Sequence, residues 1–172
     1  MLRIDLGALR EGPVDMVQAV PADDPLFEQL DFQLSGPVQL SGRLMEAGTG
    51  RYYWHGGLRT RVKSACRRCL TDLDLAIDQP VEVLFTEDDG TDDPAAYSIP
   101  QHAAELDLRE AVREELILAV PEYSLCDEGC RGICPTCGTD LNAGTCSCER
   151  QPDPRWAGLE ELRAALPDDE VS

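Results

Sequence analysis

Apolar and polar positions alternate every second residue along much of the first half of the chain, the period of half-buried strands. Leu2, Ile4 and Leu6 share one parity, as do Leu30, Phe32 and Leu34, and then Val38, Leu40 and Leu44. Gly12-Pro13 and Pro21-Ala-Asp-Asp-Pro25 interrupt the alternation and read as turns or loops. Arg59-Thr-Arg-Val-Lys-Ser-Ala65 and Leu70-Thr-Asp-Leu-Asp-Leu-Ala-Ile77 flank Cys66-Arg-Arg-Cys69, which predicts a hairpin with that tetrapeptide at its tip. With Ala65 opposite Leu70, one face pairs Lys63 with Asp72 and Arg61 with Asp74. The other pairs Val62 with Leu73, Thr60 with Leu75 and Leu58 with Ile77. A slip of one residue would set charges against apolar groups, so the faces are strongly specified. The same phase runs on through Val81, Val83 and Phe85, with Pro80 at an edge or a break.

Helical periodicity follows. Asp107 as N-cap with Glu110 three residues on has the form of a capping box, and Leu108, Ala111, Val112, Leu116 and Ala119 fall on one face before Pro121. A last helix is expected near Asp153-Pro-Arg-Trp156, with Trp156, Leu159, Leu162 and Leu166 spaced as an apolar stripe. No apolar run approaches the ~20 residues needed to span a bilayer.

The eight cysteines change this picture most. They form the short-range pairs Cys66/Cys69, Cys126/Cys130, Cys134/Cys137 and Cys146/Cys148. Zinc takes four thiolates tetrahedrally at about 2.3 Å, and a CxxC turn brings two sulfurs to one ion. Cys134, Cys137, Cys146 and Cys148 lie close enough to wrap one metal locally, with Gly138 and Gly144 free to take positive φ. Cys66 and Cys69 then join Cys126 and Cys130 in a second, split site, whose longer loop adds little further closure cost. Three other readings exist: a disulfide framework, a redox pair at Cys66-Arg-Arg-Cys69 with arginine-lowered thiols, and inert core thiols. Met-Leu-Arg-Ile-Asp-Leu-Gly carries charge where a secretory leader is apolar, so a reducing, cytoplasmic setting is expected. The cysteines cluster with Gly, Pro, Asn and charge, unlike core positions.

The expected fold class is α+β: a mainly antiparallel sheet body, a helix, cysteine-rich zinc loops and a C-terminal helix. Residues 1–105 would form the sheet body with its Cys66/Cys69 knuckle, and residues 106–172 the helix, metal loops and last helix.

Net charge adds a second constraint. The chain of 172 residues carries −18, and unevenly: Met1 to Leu70 has nine basic and eight acidic residues, whereas Thr71 to Ser172 has six and twenty-five. Eight thiolates around two dications would take the total to about −22. Such a surface repels nucleic acid over most of its extent and attracts basic proteins.

The remaining motifs are less decisive. Arg51-Tyr-Tyr-Trp-His55 with Arg59, Arg61, Lys63, Arg67 and Arg68 mixes aromatics with base as single-stranded RNA surfaces do, and Tyr53, Arg67 and Arg68 escape the hairpin pairing. The opposing reading neutralises Arg61 and Lys63 across the ladder and buries the aromatics in a sheet face. Glu87-Asp-Asp-Gly-Thr-Asp-Asp93 lacks a calcium-loop pattern and reads as a solvated loop. Glu110, Glu114 and Glu115 fall on a water-facing helix side with no nucleophile near in sequence, and His55 and His102 stand apart from the cysteines.

Cys66-Arg-Arg-Cys-Leu70, then Cys126-Asp-Glu-Gly-Cys130-Arg-Gly-Ile-Cys134-Pro-Thr-Cys-Gly-Thr-Asp-Leu-Asn142, Cys146-Ser-Cys148 and Asp153-Pro-Arg-Trp156 resemble the YceD-like family. These bacterial and plastid proteins are associated with accumulation of large-subunit (23S) ribosomal RNA. The resemblance runs from Cys66 to Trp156 at motif level. It implies a cytoplasmic, non-enzymatic ribosome-biogenesis factor, of a family often encoded beside a small large-subunit ribosomal protein. Relatives that lack the cysteines imply a structural zinc, and closed four-sulfur sites leave no open position for a catalytic water.

Two functional classes follow, with a third behind them. The first is an acidic adaptor for a basic ribosomal protein or pre-50S particle. The second is direct rRNA binding through the segment Arg51 to Arg68, and the third a thiol redox enzyme at Cys66 and Cys69. None requires a membrane or a small-molecule substrate.

Overall fold

The computed structural model describes residues 2–87 and 95–149 together with residues 155, 158, 159 and 162. Two compact units divide the chain, residues 1–130 and residues 131–172, so the boundary expected at 105/106 falls inside the first.

The first unit is α+β and mainly antiparallel. Its strands are β1 (Arg3–Asp5), β2 (Val14–Val20), β3 (Gln33–Leu34), β4 (Val38–Gly48), β5 (Arg51–Ala65), β6 (Asp72–Thr86), β7 (Tyr97–Ser98) and β8 (Glu105–Asp107), followed by helix α1 (Arg109–Ala119). The main sheet runs β2-β4-β5-β6-β7, with β3 also pairing β5, while β1 and β8 form a separate two-stranded ribbon. Of the adjacent pairs in the main sheet, β6 with β7 runs parallel. Among the described residues no helix is long and apolar enough to cross a membrane.

Parity sorts the sheet into two faces. Leu40 and Leu44 of β4, Trp54, Leu58 and Val62 of β5, and Ile77, Val81, Val83 and Phe85 of β6 are buried in one cluster. Leu2, Ile4 and Leu106 of the ribbon and Ala111, Val112 and Leu116 of α1 belong to the same core, so helix and ribbon cover the apolar face. A glycine pair shapes the sheet at Gly42 opposite Gly56. A Cβ on Gly56 would lie 2.2 Å from the Ser41 carbonyl oxygen, and one on Gly42 would lie 2.5 Å from the Trp54 ring.

The opposite face of β5 is a ladder of ion pairs. Arg59 bonds Asp78 at 3.0 Å, Arg61 bonds Asp74 at 2.9 Å and His55 lies 3.5 Å from Glu82. Arg43 of β4 reaches Asp15 of β2 at 2.6 Å, continuing the pattern.

Several expectations are corrected. The hairpin register is displaced by two: Lys63 faces Asp74, Arg61 faces Ala76, Val62 faces Leu75 and Ala65 faces Asp72. An even shift preserves both faces, which is why parity alone could not exclude it. The cause is the tip, where Cys66 N–H donates to Thr71 O at 2.9 Å and Leu70 N–H to Cys66 O at 2.8 Å, so the loop extends beyond Cys69. Strand β2 is an addition: Val14, Met16 and Val20 alternate between the turn signals Gly12-Pro13 and Pro21. The pattern at Leu30, Phe32 and Leu34 yields only the two residues of β3. Pro80 lies inside β6, where its missing N–H faces no partner strand, because β7 pairs only Phe85 and Thr86.

At the start of α1 the N-cap position is Leu108, without a side-chain cap; Asp107 Oδ1 instead accepts from Arg109 N–H at 3.0 Å. Glu115 is half-buried and its carboxyl is raised by burial and by Glu114, while Glu114 accepts from the Tyr97 hydroxyl. Glu87 also binds locally: it accepts from Tyr52 Oη at 2.9 Å and His102 N–H at 3.2 Å. Residues 88–93 of the acidic loop lie outside the described residues, as do Asp153, Pro154, Trp156 and Leu166. Leu159 and Leu162 are on helical backbone and exposed.

Candidate metal centres

The first cysteine group gathers at the hairpin tip. Cys66, Cys69, Cys126 and Cys130 bring their sulfurs within 4.8 Å of one another, and the second group, Cys134, Cys137, Cys146 and Cys148, does the same. The Cys66 and Cys130 sulfurs are 3.8 Å apart, those of Cys69 and Cys126 3.5 Å. A tetrahedron with bonds of about 2.3 Å has edges of about 3.8 Å, so this spacing suits one metal ion. A disulfide needs about 2.05 Å, and all eight cysteines are free. Each set is therefore arranged as a cage that could hold a metal.

The two CxxC knuckles share one backbone plan. In the first, Cys66 N–H bonds Thr71 O and Leu70 N–H bonds Cys66 O; in the second, Cys134 N–H bonds Thr139 O and Gly138 N–H bonds Cys134 O. Threonine hydroxyls meet the second sulfur of each pair, Thr71 to Cys69 at 3.3 Å and Thr139 to Cys137 at 3.1 Å. Leu70 and Gly138 take left-handed backbone at φ 62° and 74°, and Gly132 joins them at 77°. Gly144, equally free to do so, does not. The sequence signal of this plan is the repeat Cys-x-x-Cys-x-Thr, at Cys66 to Thr71 and Cys134 to Thr139.

Local turns brace the cages further. Gly129 N–H bonds Asp127 Oδ1 at 2.8 Å, and Cys130 N–H bonds Asp127 O at 3.0 Å. In the second unit Ile133 and Asp140 form a bridge, and Asn142 Oδ1 accepts from Arg131 N–H at 2.7 Å. These bonds hold the turns that carry Cys130, Cys134 and Cys137.

Electrostatics fit a dication in each cage. Burial raises the Cys66 thiol, but backbone N–H donors from Cys126, Cys69 and Arg68 outweigh it and bring it down to about 6. Backbone donors from Cys137 and Thr136 bring Cys134 down to about 6. Cys126 and Cys148 are pushed up to about 12, chiefly by hydrogen bonds to Cys69 and to Cys137 respectively. Each set thus pairs a sulfur whose thiolate is favoured with one whose proton is held, and a bound metal would take that proton's place.

The three contact candidates outside the cysteines separate. Arg68 Nη1 donates to Glu128 O at 3.0 Å and Cys130 O at 2.9 Å, lacing the knuckle to the loop that brings Cys126 and Cys130. Arg67 lies 4.0 Å over the ring of Tyr123, and its N–H donates to Ser124 O. Tyr53 sits on the ladder face of β5, its ring stacked at 6.4 Å on His55. Twelve strand residues at about 3.3 Å each put Tyr53 about 40 Å from the knuckle end of β5. Tyr123 had no signal in the sequence beyond its aromatic character.

A family model described as "Large ribosomal RNA subunit accumulation protein YceD" matches residues 54–163, a span that holds both cysteine cages. An Arabidopsis thaliana protein named large ribosomal RNA subunit accumulation protein YCED homolog 1, chloroplastic, is 31% identical over 68 residues, 39% of this chain and 21% of that protein. The Zea mays protein of the same name is 24% identical over 147 residues, 68% of this chain and 50% of that protein. An uncharacterized protein of Mycobacterium bovis is 29% identical over 100 residues, 56% of this chain and 48% of that protein. The chain spans half or less of the length of these curated relatives. No solved structure matches it.

Proposed function

The chain belongs to the YceD family, and from that premise we propose that it is a non-enzymatic, cytoplasmic factor supporting accumulation of large-subunit (23S) rRNA. In this reading it acts as an acidic adaptor for a basic ribosomal protein or pre-50S particle, with two structural zinc ions. The observation that carries the role is the family match over residues 54–163.

Charge and geometry support the finer reading. A net charge of −18 favours basic protein over naked RNA as the direct partner. Arg59 and Arg61, which could have joined an RNA surface on β5, are answered by Asp78 and Asp74 across the ladder, and Tyr53 lies far from Arg67 and Arg68. Bound in the cages, zinc would supply cross-links between chain segments, with Cys66, Cys69, Cys126 and Cys130 as one ligand set and Cys134, Cys137, Cys146 and Cys148 as the other. Four sulfurs saturate a tetrahedral ion, which suits a scaffold better than hydrolysis.

Crosslinked pull-down from cells, with and without RNase, tests the adaptor reading. The expected result is co-purification of a basic large-subunit protein that survives RNase, together with reduced 23S rRNA on depletion of this protein. Recovery that depends wholly on intact RNA would overturn the adaptor in favour of direct rRNA binding.

A further inference from the structure

Four of the five large apolar side chains that the described residues of the first unit leave exposed concentrate near its metal cage. Ile117, Leu118 and Tyr123 lie at and just after the end of α1, and Leu70 is at the knuckle; Val17 is apart on β2. Leu118 is 79% exposed although it sits on a helix whose other face is core. The knuckle and this stretch are tied by Arg67 N–H to Ser124 O. Clustering of this kind marks a contact surface rather than the scattered exposure of ordinary proteins.

A cleft of about 480 Å³ opens beside it, lined by residues including Leu30, Phe32, Ile117 and Val120, with Asp31 and Glu122 also on its wall. Its lining residue Gln29 has a left-handed backbone at φ 60°, an unfavourable conformation for a residue with a side chain. Of the bases nearby, Arg113 donates to the carbonyls of Leu26 and Glu28, and Lys63, opposite Asp74 in the ladder, lines the cleft itself. The cleft therefore offers an apolar floor and a wall that is acidic in balance, with Asp31 and Glu122 against Lys63.

We propose that this cleft is the docking site for a basic peptide segment of a protein partner, an apolar side chain flanked by lysines or arginines. The inference rests on the adaptor reading and locates its contact. Charge selects the occupant. A second copy of a chain carrying −18 would bring like charge to an acidic wall, whereas a lysine-rich or arginine-rich segment gains there while its apolar residue fills the floor.

The test uses the full-length, metal-loaded protein with the double variant Ile117→Ser/Leu118→Ser, and Val17→Ser as a control. All three positions are exposed, so folding is retained and is checked by circular dichroism. The probe is a set of overlapping synthetic peptides tiling the basic large-subunit ribosomal proteins, read by fluorescence anisotropy. The bound peptides are expected to share an apolar residue between basic ones, and the double variant to bind them about tenfold more weakly or worse. Val17→Ser should bind as the wild type does. Equal binding by the double variant, or equal binding after serine replaces the peptides' apolar residues, overturns the cleft assignment. So does self-association of the wild type that the double variant abolishes. Capture of intact basic ribosomal proteins by wild type and double variant alike removes the cleft and leaves the adaptor standing; capture by neither removes both.

Discussion

Leu70 and Gly138 hold the same place in two knuckles built on one plan, with φ of 62° and 74°. Each follows the second cysteine of a CxxC pair and precedes the threonine whose carbonyl closes the loop. One position uses the residue suited to left-handed backbone and the other an exposed leucine that is not.

Exchanging the two residue types should therefore have opposite effects. A side chain in left-handed backbone costs roughly 1–2 kcal/mol. Glycine returns about 0.4–1 kcal/mol of that as unfolded-chain entropy. Leu70→Gly should leave the metal-loaded protein as stable as before or more stable by up to about 1 kcal/mol. Gly138→Leu should destabilise it by a converse amount, up to about 1 kcal/mol, as backbone strain less the unfolded-chain entropy removed, since a Cβ there meets nothing within 4 Å. Denaturant unfolding of both variants checks the pair.

Elemental analysis of reduced protein should find two zinc ions per chain. Cys66→Ser and Cys134→Ser should each lower the content to about one, because the ligand sets are separate. Acid should strip the metal from both, as thiolates take up protons in its place. A Cys66→Ser variant that keeps two fully sulfur-coordinated ions would contradict the partition.

Glu87 should shape the acid limb of stability. The His102 N–H and the Tyr52 hydroxyl donate to its carboxylate and hold its pKa below the ordinary value of 4.5. Its contribution is thus present above the unfolded value and lost as pH falls through the lower folded one. Glu87→Gln should reduce stability near neutrality and flatten its decline below about pH 4.5, as followed by denaturant midpoints across the acid range.

Gly56→Ala should be among the more damaging single methyl additions in the sheet. The new Cβ would fall 2.2 Å from the Ser41 carbonyl oxygen, a backbone atom that cannot step aside. A loss of about 2 kcal/mol or more is expected, against little change for Gly36→Ala, whose Cβ site is open. Denaturant midpoints compare the two.

Parity was legible from residues alone, and so was the grouping of the cysteines. Val81, Val83 and Phe85 do continue the phase of the hairpin, and Leu108, Ala111, Val112 and Leu116 are the buried face of α1. Register was not legible, because a displacement by two leaves Lys63, Arg61, Asp74 and Asp78 on the face they would occupy anyway. The glycine pair at Gly42 and Gly56 likewise carries no signal until β4 and β5 are side by side.

Periodicity and ligand spacing are local properties of a chain, and from them came the sheet faces, the helix stripe and the pairing of cysteines within each short motif. Which acid answers which base on β5, how far the knuckle loop extends beyond Cys69, and the placing of Tyr123 under Arg67 depend on segments that meet only on folding. Those contacts are set by hydrogen-bond closure at the tip and by packing across the sheet, where several arrangements share one local pattern and the whole molecule selects among them.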